Sequence, residues 1–274
     1  MPTKIEWAEE TWNTIVGCTK CSPGCDNCYA EKMATRLAKI KSTENKYGGV
    51  ITRGKWNGTI ISRRSENWKP YSWKKPRTIF VNSMGDTFHP EVKSWRIEEI
   101  IKIAEENSRH TFLLLTKRSK RMAEFFESRP APKNVWCGVT VCNQDEADEK
   151  IPHLLNVRAN IRFVSIEPML GPVHIKCYAL RGLHWVIVGG ESGHRSRPVN
   201  PDWVRDIRDQ CVDAGIPFLF KQWGYGILNC KDRTEKNSFL LDGIALHKAG
   251  WNPSEKKGGR ILDGVVHDEY PEAT

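Results

Sequence analysis

The chain has 274 residues, 39% of them hydrophobic and 27% charged, which suits one large α/β domain or two small ones with a buried core. No apolar run approaches the roughly 18 residues of a membrane span. Residues Met1–Trp7 lack the basic-then-apolar pattern of a signal peptide, so a cytoplasmic protein with no membrane partner is expected. The formal net charge is +9, and residues 31–77 alone hold thirteen Lys and Arg against Glu31, Glu44 and Glu66.

In chain order, the first expected strand covers about Asn13–Val16. It runs into a stretch with four thiols in eleven residues, Cys18-Thr19-Lys20-Cys21-Ser22-Pro23-Gly24-Cys25-Asp26-Asn27-Cys28. Four thiols so close together can wrap one soft metal centre. Zinc ribbons separate their two cysteine pairs by about a dozen residues or more. Here only Ser22, Pro23 and Gly24 intervene, a spacing better suited to a cluster held by one loop. The other five cysteines are scattered. Cys137, Cys142, Cys177 and Cys211 sit in or beside apolar segments, where packing is their expected role, and Cys230 lies further on.

The basic segment follows. It also carries Tyr47, Trp56, Trp68, Tyr71 and Trp73. Cations interleaved with aromatics can track a phosphate backbone and stack bases, with Arg63, Arg64, Trp56 and Trp68 as candidate contacts. The competing reading is a solvated insertion at about 41–77 whose Trp side chains anchor it to the core.

Short apolar runs then alternate with amphipathic stretches. Strands are expected at Thr78–Asn82, Thr111–Leu115, Val135–Val139, Arg162–Ile166, His184–Val188 and Pro217–Phe220, each apolar without strict alternation, as in strands buried on both faces. Helices are expected at Trp95–Glu106, with Ile97, Ile100, Ile101 and Ala104 on one face, and at Ser119–Ser128, Gln144–Leu155 and Pro201–Ala214. Asp202 near the start and Gly215 just past the end mark the boundaries of the last. Repeated strand–helix units predict an α/β fold with a parallel sheet, a partial or closed (β/α) barrel over residues 1–224. Beyond it, residues 225–274 are polar, with Gly243, Gly250, Gly258, Gly259 and Gly264, and read as an irregular C-terminal extension.

Several strands end on polar residues: Ser83 to Asp86, Thr116 to Arg118, Glu167, Gly190 with Glu191, and Lys221 with Gln222. In barrels of this type the active site lies at the C-terminal strand ends, so these residues are expected to line a pocket. Lys117, Glu167 and Lys221 are the candidate catalytic groups.

The segment from Cys21 to Cys28 matches the C-x3-C-x2-C signature of the radical S-adenosylmethionine (SAM) superfamily. Residues 7–224 more closely resemble a phage-associated three-cysteine-motif family of unassigned function, through Gly17-Cys18-Thr19-Lys20, Ser22 to Glu31, Val81 to Met84, Ser165 to Pro168, Gly189 to Gly193 and Phe220 to Gly224. The ending Cys28-Tyr29-Ala30 is also similar to relatives of spore photoproduct lyase. The resemblance implies a [4Fe–4S] cluster on three cysteines with SAM as co-substrate. It also implies a reductant such as a flavodoxin or ferredoxin, and a nucleotide or nucleic acid as substrate. Cys25 and Cys28 are ligands under either pattern. The family's pattern makes Cys18 the first ligand, and the superfamily's spacing makes it Cys21. Ser83, Gly85 and Asp86 occupy the place where the superfamily holds the methionine end of SAM. Tyr29, Thr116, Gly190 and Glu191 are further candidates for contact with it. The chain departs from the superfamily in having Asn27 where an aromatic residue usually precedes the last cysteine. The alternative is a non-catalytic protein that binds nucleic acid and whose zinc or iron–sulfur centre only braces the N-terminal loop.

Overall fold

The structure is a computed structural model that describes residues 3, 5–179, 181–193, 196–224 and 247–272. The strands are β1 (Glu10–Trp12), β2 (Ile15–Val16), β3 (Ile51–Thr52), β4 (Lys55–Trp56), β5 (Ile61–Ser62), β6 (Thr78–Val81), β7 (Thr111–Thr116), β8 (Val135–Thr140), β9 (Arg162–Ile166), β10 (Trp185–Gly189), β11 (Phe218–Gln222), β12 (Ile261–Leu262) and β13 (Val265–Val266). The helices are α1 (Tyr29–Leu37), α2 (Lys41–Tyr47), α3 (Lys69–Ser72), α4 (Ser94–Glu106), α5 (Ser119–Phe125), α6 (Gln144–Leu155), α7 (Lys176–Ala179) and α8 (Pro201–Ala214).

The main sheet has seven strands in the order β1-β6-β7-β8-β9-β10-β11. The pairs β1–β6, β6–β7, β7–β8, β9–β10 and β10–β11 are parallel. The order follows the chain and never doubles back. A doubly wound sheet reverses its strand order at a switch point, so this is the singly wound arrangement compatible with a partial (β/α) barrel. The chain divides into two compact units. One holds the residues up to Val139 together with Pro152–Arg162, and the other holds Thr140–Ile151 and the residues from Phe163 on.

In the first unit, β6, β7 and β8 are almost entirely buried, which is why their sequences are continuous apolar runs. Helix α4 buries Ile97, Ile100, Ile101 and Ala104, the expected stripe, together with Arg96. Trp12 and Phe112 meet edge to face at 5.9 Å, and neither is exposed. Burying an aromatic ring of this kind contributes roughly 3 kcal/mol. A second, smaller core of Val16, Ala30, Ala34, Tyr47, Val50 and Met84 lies among α1, α2 and the start of the insertion. Cys28 and Trp56 pack against it.

In the second unit, Phe163 packs on Trp185 and Trp185 on Tyr270. The Asn200 side chain caps α8 by accepting from the Asp202 N–H at 2.9 Å, and Gly215 closes the helix at φ 64°. The described part of the C-terminal segment, residues 247–272, contributes the β12–β13 hairpin and a strand-like run beside β11. Phe220 N donates to His267 O at 3.0 Å, and Leu219 bridges Asp268 antiparallel. Cys230 and Gly243 lie outside the described residues.

The first unit departs from expectation at its beginning. The expected strand Asn13–Val16 is divided: β1 ends at Trp12, and β2 leaves the main sheet to pair antiparallel with β5, Ile15 opposite Ser62. The buried side chain of Asn82 is the cause. Its Oδ1 accepts from Thr14 N at 2.9 Å and Ile15 N at 2.8 Å, turning two successive N–H groups to one acceptor, which an extended strand cannot do. Its Nδ2 donates to Thr87 Oγ1 at 2.8 Å, and its backbone sits at φ 58°, a conformation Asn tolerates better than most residues. Replacing Asn82 with Ala leaves two buried N–H groups without acceptors, each costing about 1–3 kcal/mol. We therefore expect N82A to lose roughly 2–4 kcal/mol in urea unfolding. A loss below about 1 kcal/mol would show that this clamp does not hold the segment.

Candidate functional site

The thiol stretch is a sequence of tight turns. Ser22 Oγ accepts from Gly24 N at 3.1 Å, Cys25 N donates to Ser22 O at 2.9 Å, and Cys28 N donates to Cys25 O at 3.3 Å. Pro23 opens a short 3-10 turn that ends on Cys25, and Cys28 stands at the N-cap of α1. The loops that follow β1 and β6 are fastened side by side. Gly17 N donates to Met84 O at 3.1 Å, and Gly17 pairs with Gly85 in a parallel bridge. Gly17 lies at φ 100°, and a Cβ there would stand 2.2 Å from Thr59 O, so no other residue fits. Asn13 Oδ1 accepts from Ser83 Oγ at 3.1 Å and Met84 N at 3.0 Å, and the Tyr29 hydroxyl donates to Ser83 O at 2.9 Å.

Arg118, just past β7, joins this assembly to the cysteines. Its Nη1 donates to Asp86 Oδ2 at 2.7 Å and lies 3.6 Å from Cys18 Sγ. Its Nη2 donates to Thr19 O and Thr19 Oγ1, both at 2.9 Å. The other acceptor positions of Asp86 are also engaged: Thr116 Oγ1 donates to both carboxylate oxygens at 2.8 and 3.0 Å, and Phe88 N donates to Oδ1 at 2.9 Å. Thr116 Oγ1 in turn accepts from Arg118 N at 2.9 Å. His89 Nδ1 accepts from Glu91 N at 3.2 Å, so a neutral ring carries its proton on Nε2, 2.8 Å from Thr19 Oγ1. Burial holds the His89 imidazole below its ordinary pKa, and the nearby Arg118 charge acts in the same sense.

The four thiols differ in their surroundings. Cys21 is exposed, Cys25 is buried, and Cys18 and Cys28 are intermediate. Cys21 donates a hydrogen bond to Cys25, which lowers the Cys25 thiol to a pKa of about 5 against the effect of burial. The charge of Lys117 lowers it further. The same bond holds the Cys21 proton and raises that thiol. Burial pushes Cys18 up to about 11; the Asp86 carboxylate adds to the rise, Arg118 opposes it, and the charge of Cys28 is also felt there. Among the described residues, no three His, Cys, Asp or Glu side chains are grouped as ligands around one point. The donor set is nevertheless all sulfur, carried on one hydrogen-bonded loop, with the Cys25 thiol lowered by its neighbours. That chemistry fits a soft metal or an iron–sulfur cluster and disfavours a hard cation.

The remaining candidates lie in the second unit. Lys221 Nζ pairs with Glu167 Oε1 at 2.8 Å, and Ser165 Oγ donates to Glu167 Oε2 at 3.2 Å. The Glu167–Pro168 peptide bond is cis. Glu191 is buried and held by Arg197, which donates from Nη2 at 2.6 Å, Nε at 3.1 Å and its backbone N at 2.8 Å. Gly190 is a close-packing glycine: a Cβ there would lie 1.8 Å from Trp223 O. Gln222 Nε2 donates to Gly190 O at 2.9 Å, while its buried Oε1 has no hydrogen-bond partner among the described residues.

The structure thus brings Tyr29, Ser83, Gly85, Asp86, Thr116 and the cysteine loop together in the first unit, and Glu167 with Lys221 in the second. Sequence reasoning placed Arg118 at a strand end with Thr116 and Lys117 but gave it no role of its own, and it assigned none to Thr19 or His89. Of the scattered cysteines, Cys137, Cys142 and Cys211 are buried as expected. Cys177 is exposed, because it lies on the outward side of the one-turn helix α7.

Removing the guanidinium leaves Asp86 buried without its cation, the costly way to break such a pair. R118M should lose about 3–5 kcal/mol in denaturant unfolding. Because loss of the cation also raises the Cys18 thiol, the loop is best read by amide hydrogen exchange: in metal-free R118M, the Thr19 and Lys20 N–H groups should exchange faster. Unchanged exchange there would mean that Arg118 does not hold the loop.

Among the described residues, no helix is long and apolar enough to cross a membrane. No curated protein and no solved structure matches the chain. Residues 2–271 match the model of one family, described as a protein of unknown function (DUF5131). The match spans nearly the whole length, from before the thiol loop to beyond the strand-like run against β11, and the chain therefore belongs to the DUF5131 family.

Proposed function

We propose that this chain is a radical SAM enzyme of the cytoplasm, built on a partial (β/α) barrel and acting on a nucleotide or nucleic acid. One observation carries the reading. A loop of soft sulfur donors is fastened to the ends of β1, β6 and β7 by Asn13, Asn82 and Arg118, at the strand ends where parallel α/β folds place their chemistry.

Cys18, Cys25 and Cys28 would hold a [4Fe–4S] cluster, with Cys21 as the alternative first ligand. With SAM bound, such a cluster supplies the electron that cleaves the sulfonium to a 5′-deoxyadenosyl radical. The chain's own groups have separate tasks. Asp86, with its acceptors taken by Arg118 and Thr116, keeps the loop after β6 in place. Gly85 and Ser83 on that loop are the groups left to meet SAM. The charge of Lys117 favours thiolate at Cys25. In the second unit, the Lys221 ammonium and Glu167 carboxylate form a ready proton donor and acceptor, beside the turn of Gly190 and Glu191. Cys21, on the exposed side of the loop, marks where a flavodoxin or ferredoxin could deliver an electron.

The count of four thiols favours one second reading, since a zinc centre with four sulfur ligands would use Cys21 as well. Metal analysis of protein purified without oxygen separates the two. The enzyme reading expects a brown protein with iron and sulfide, which forms 5′-deoxyadenosine from SAM under a strong reductant. C25A and C28A should each abolish iron binding, C18A should do the same, and C21A should retain iron. A colourless protein with one equivalent of zinc, lost in all four variants, would establish the zinc reading. Loss of iron in C21A with retention in C18A would reverse the choice of first ligand.

A further inference from the structure

The thirteen cations of residues 31–77 are not equivalent. Lys46, Arg63 and Lys69 converge on Glu66 at 3.2, 3.8 and 3.2 Å. Arg64 pairs with Glu99 at 2.6 Å, and Arg77 pairs with Glu9 at 3.0 Å. Trp56 packs inward against the Tyr47 and Val50 core. Arg63, Arg64 and Trp56 are therefore already engaged within the protein.

Another group is not. Lys32, Arg36, Lys39, Arg53 and Lys55 are all exposed, and none has an ion-pair partner among the described residues. Lys32, Arg36 and Lys39 follow one another at helical spacing along α1 and its final turn, where Lys39 N donates to Arg36 O at 3.2 Å. The β3–β4 hairpin lies against the same helix. Thr35 Oγ1 donates to Gly54 O at 3.1 Å, and Glu31 Oε2 accepts from Trp56 N at 2.9 Å. Arg53 and Lys55 flank Gly54, so they extend the helical stripe sideways. Glu31, the acidic residue of α1, is buried by its bond to the hairpin and does not offset the charge. Two large apolar side chains stand exposed on the same helix, Tyr29 at 42% and Met33 at 40%. Cys28 is the N-cap of the helix, so this face begins at the thiol loop.

We propose that the face formed by α1 and the β3–β4 hairpin binds single-stranded nucleic acid. Lys32, Arg36, Lys39, Arg53 and Lys55 would follow the phosphates, and Tyr29 and Met33 would offer apolar surface to bases. Unpaired cations flanking exposed apolar side chains are what a flexible polyanion with stacking faces requires. The inference deepens the nucleic-acid part of the reading above and uses no property of the metal centre.

The test is an anisotropy titration of the full-length protein with a labelled oligothymidylate of about 20 nucleotides, long enough for one such site. Five phosphate contacts on a single strand predict a log–log salt slope near −3.5, so affinity should fall roughly 100-fold between 50 and 200 mM salt. Substituting Lys32, Arg36 and Arg53 together with Glu should weaken binding and flatten the slope by about 2, and the triple Gln variant should flatten it equally. A duplex of the same length should compete less well. K120E combined with K133E changes exposed lysines elsewhere in the first unit and should leave affinity within about twofold, since phosphate contact is local. Absence of binding at 50 mM salt, a wild-type slope in both triple variants, or equal competition by duplex overturns the proposal. So does binding to phosphatidylserine vesicles without binding to oligonucleotide, which would assign the face to a membrane surface. A protein that lacks iron yet passes this titration would sink the enzyme reading alone.

Discussion

The guanidinium of Arg118 is the constraint on which the site depends. It is largely buried, and burying an unpaired cation is prohibitive, so its place in the fold requires Asp86. Asp86 is equally dependent on its donors, Thr116 and the Phe88 N–H. The free end of the guanidinium reaches Thr19, the residue next to Cys18. The ends of β6 and β7 and the thiol loop are thereby joined through one planar group, whose fixed fork of donors sets their relative positions. Partial attachment would strand a charge, so the latch is closed or open as a whole.

The same group shapes the chemistry of the loop. Thiolates gathered on one short segment repel each other, and burial of Cys18 disfavours its ionised form. A permanent cation 3.6 Å from that sulfur offsets part of the cost. Cys25 is lowered differently, by the hydrogen bond from the thiol of Cys21. Two distinct devices on one loop therefore favour ionised sulfur, which is what the proposed metal centre requires.

Much of the scaffold was legible because its signals are local. The helices at Gln144–Leu155 and Pro201–Ala214 were readable from apolar spacing and boundary residues, and the β9 strand from its unbroken apolar run. The expected strand at Asn13–Val16 failed because its competitor, the Asn82 carboxamide, lies almost seventy residues away. The helix starting at Ser119 ends early, at Phe125, where Phe126 turns into the core. The site was legible in composition and less so in roles. Asp86 and Glu191 read as ligand-facing because polar residues end their strands, yet each carboxylate is taken up by an arginine, Arg118 or Arg197. Polarity at a strand end does not reveal whether the partner of a charge comes from a ligand or from the chain. The basic segment shows the same limit: Trp56 turns inward while Trp68 remains 62% exposed, though both stand in similar local sequence.

The final residues of the described chain bear on solubility. Strand β11 ends the order of the main sheet, and its outer N–H and C=O groups could recruit a strand from another molecule. Residues 267–269 run antiparallel along it, with His267 O accepting from Phe220 N, Glu269 N donating to Phe218 O, and Trp185 Nε1 donating to Glu269 O. Asp263 pins the preceding hairpin to Arg205 and Arg208 on α8. The polar C-terminal segment thus works as a guard strand. A chain cut short before Val266 would strip Tyr270 and Glu269 from Trp185 and bare the outer backbone of β11, turning a covered edge into a template for aggregation.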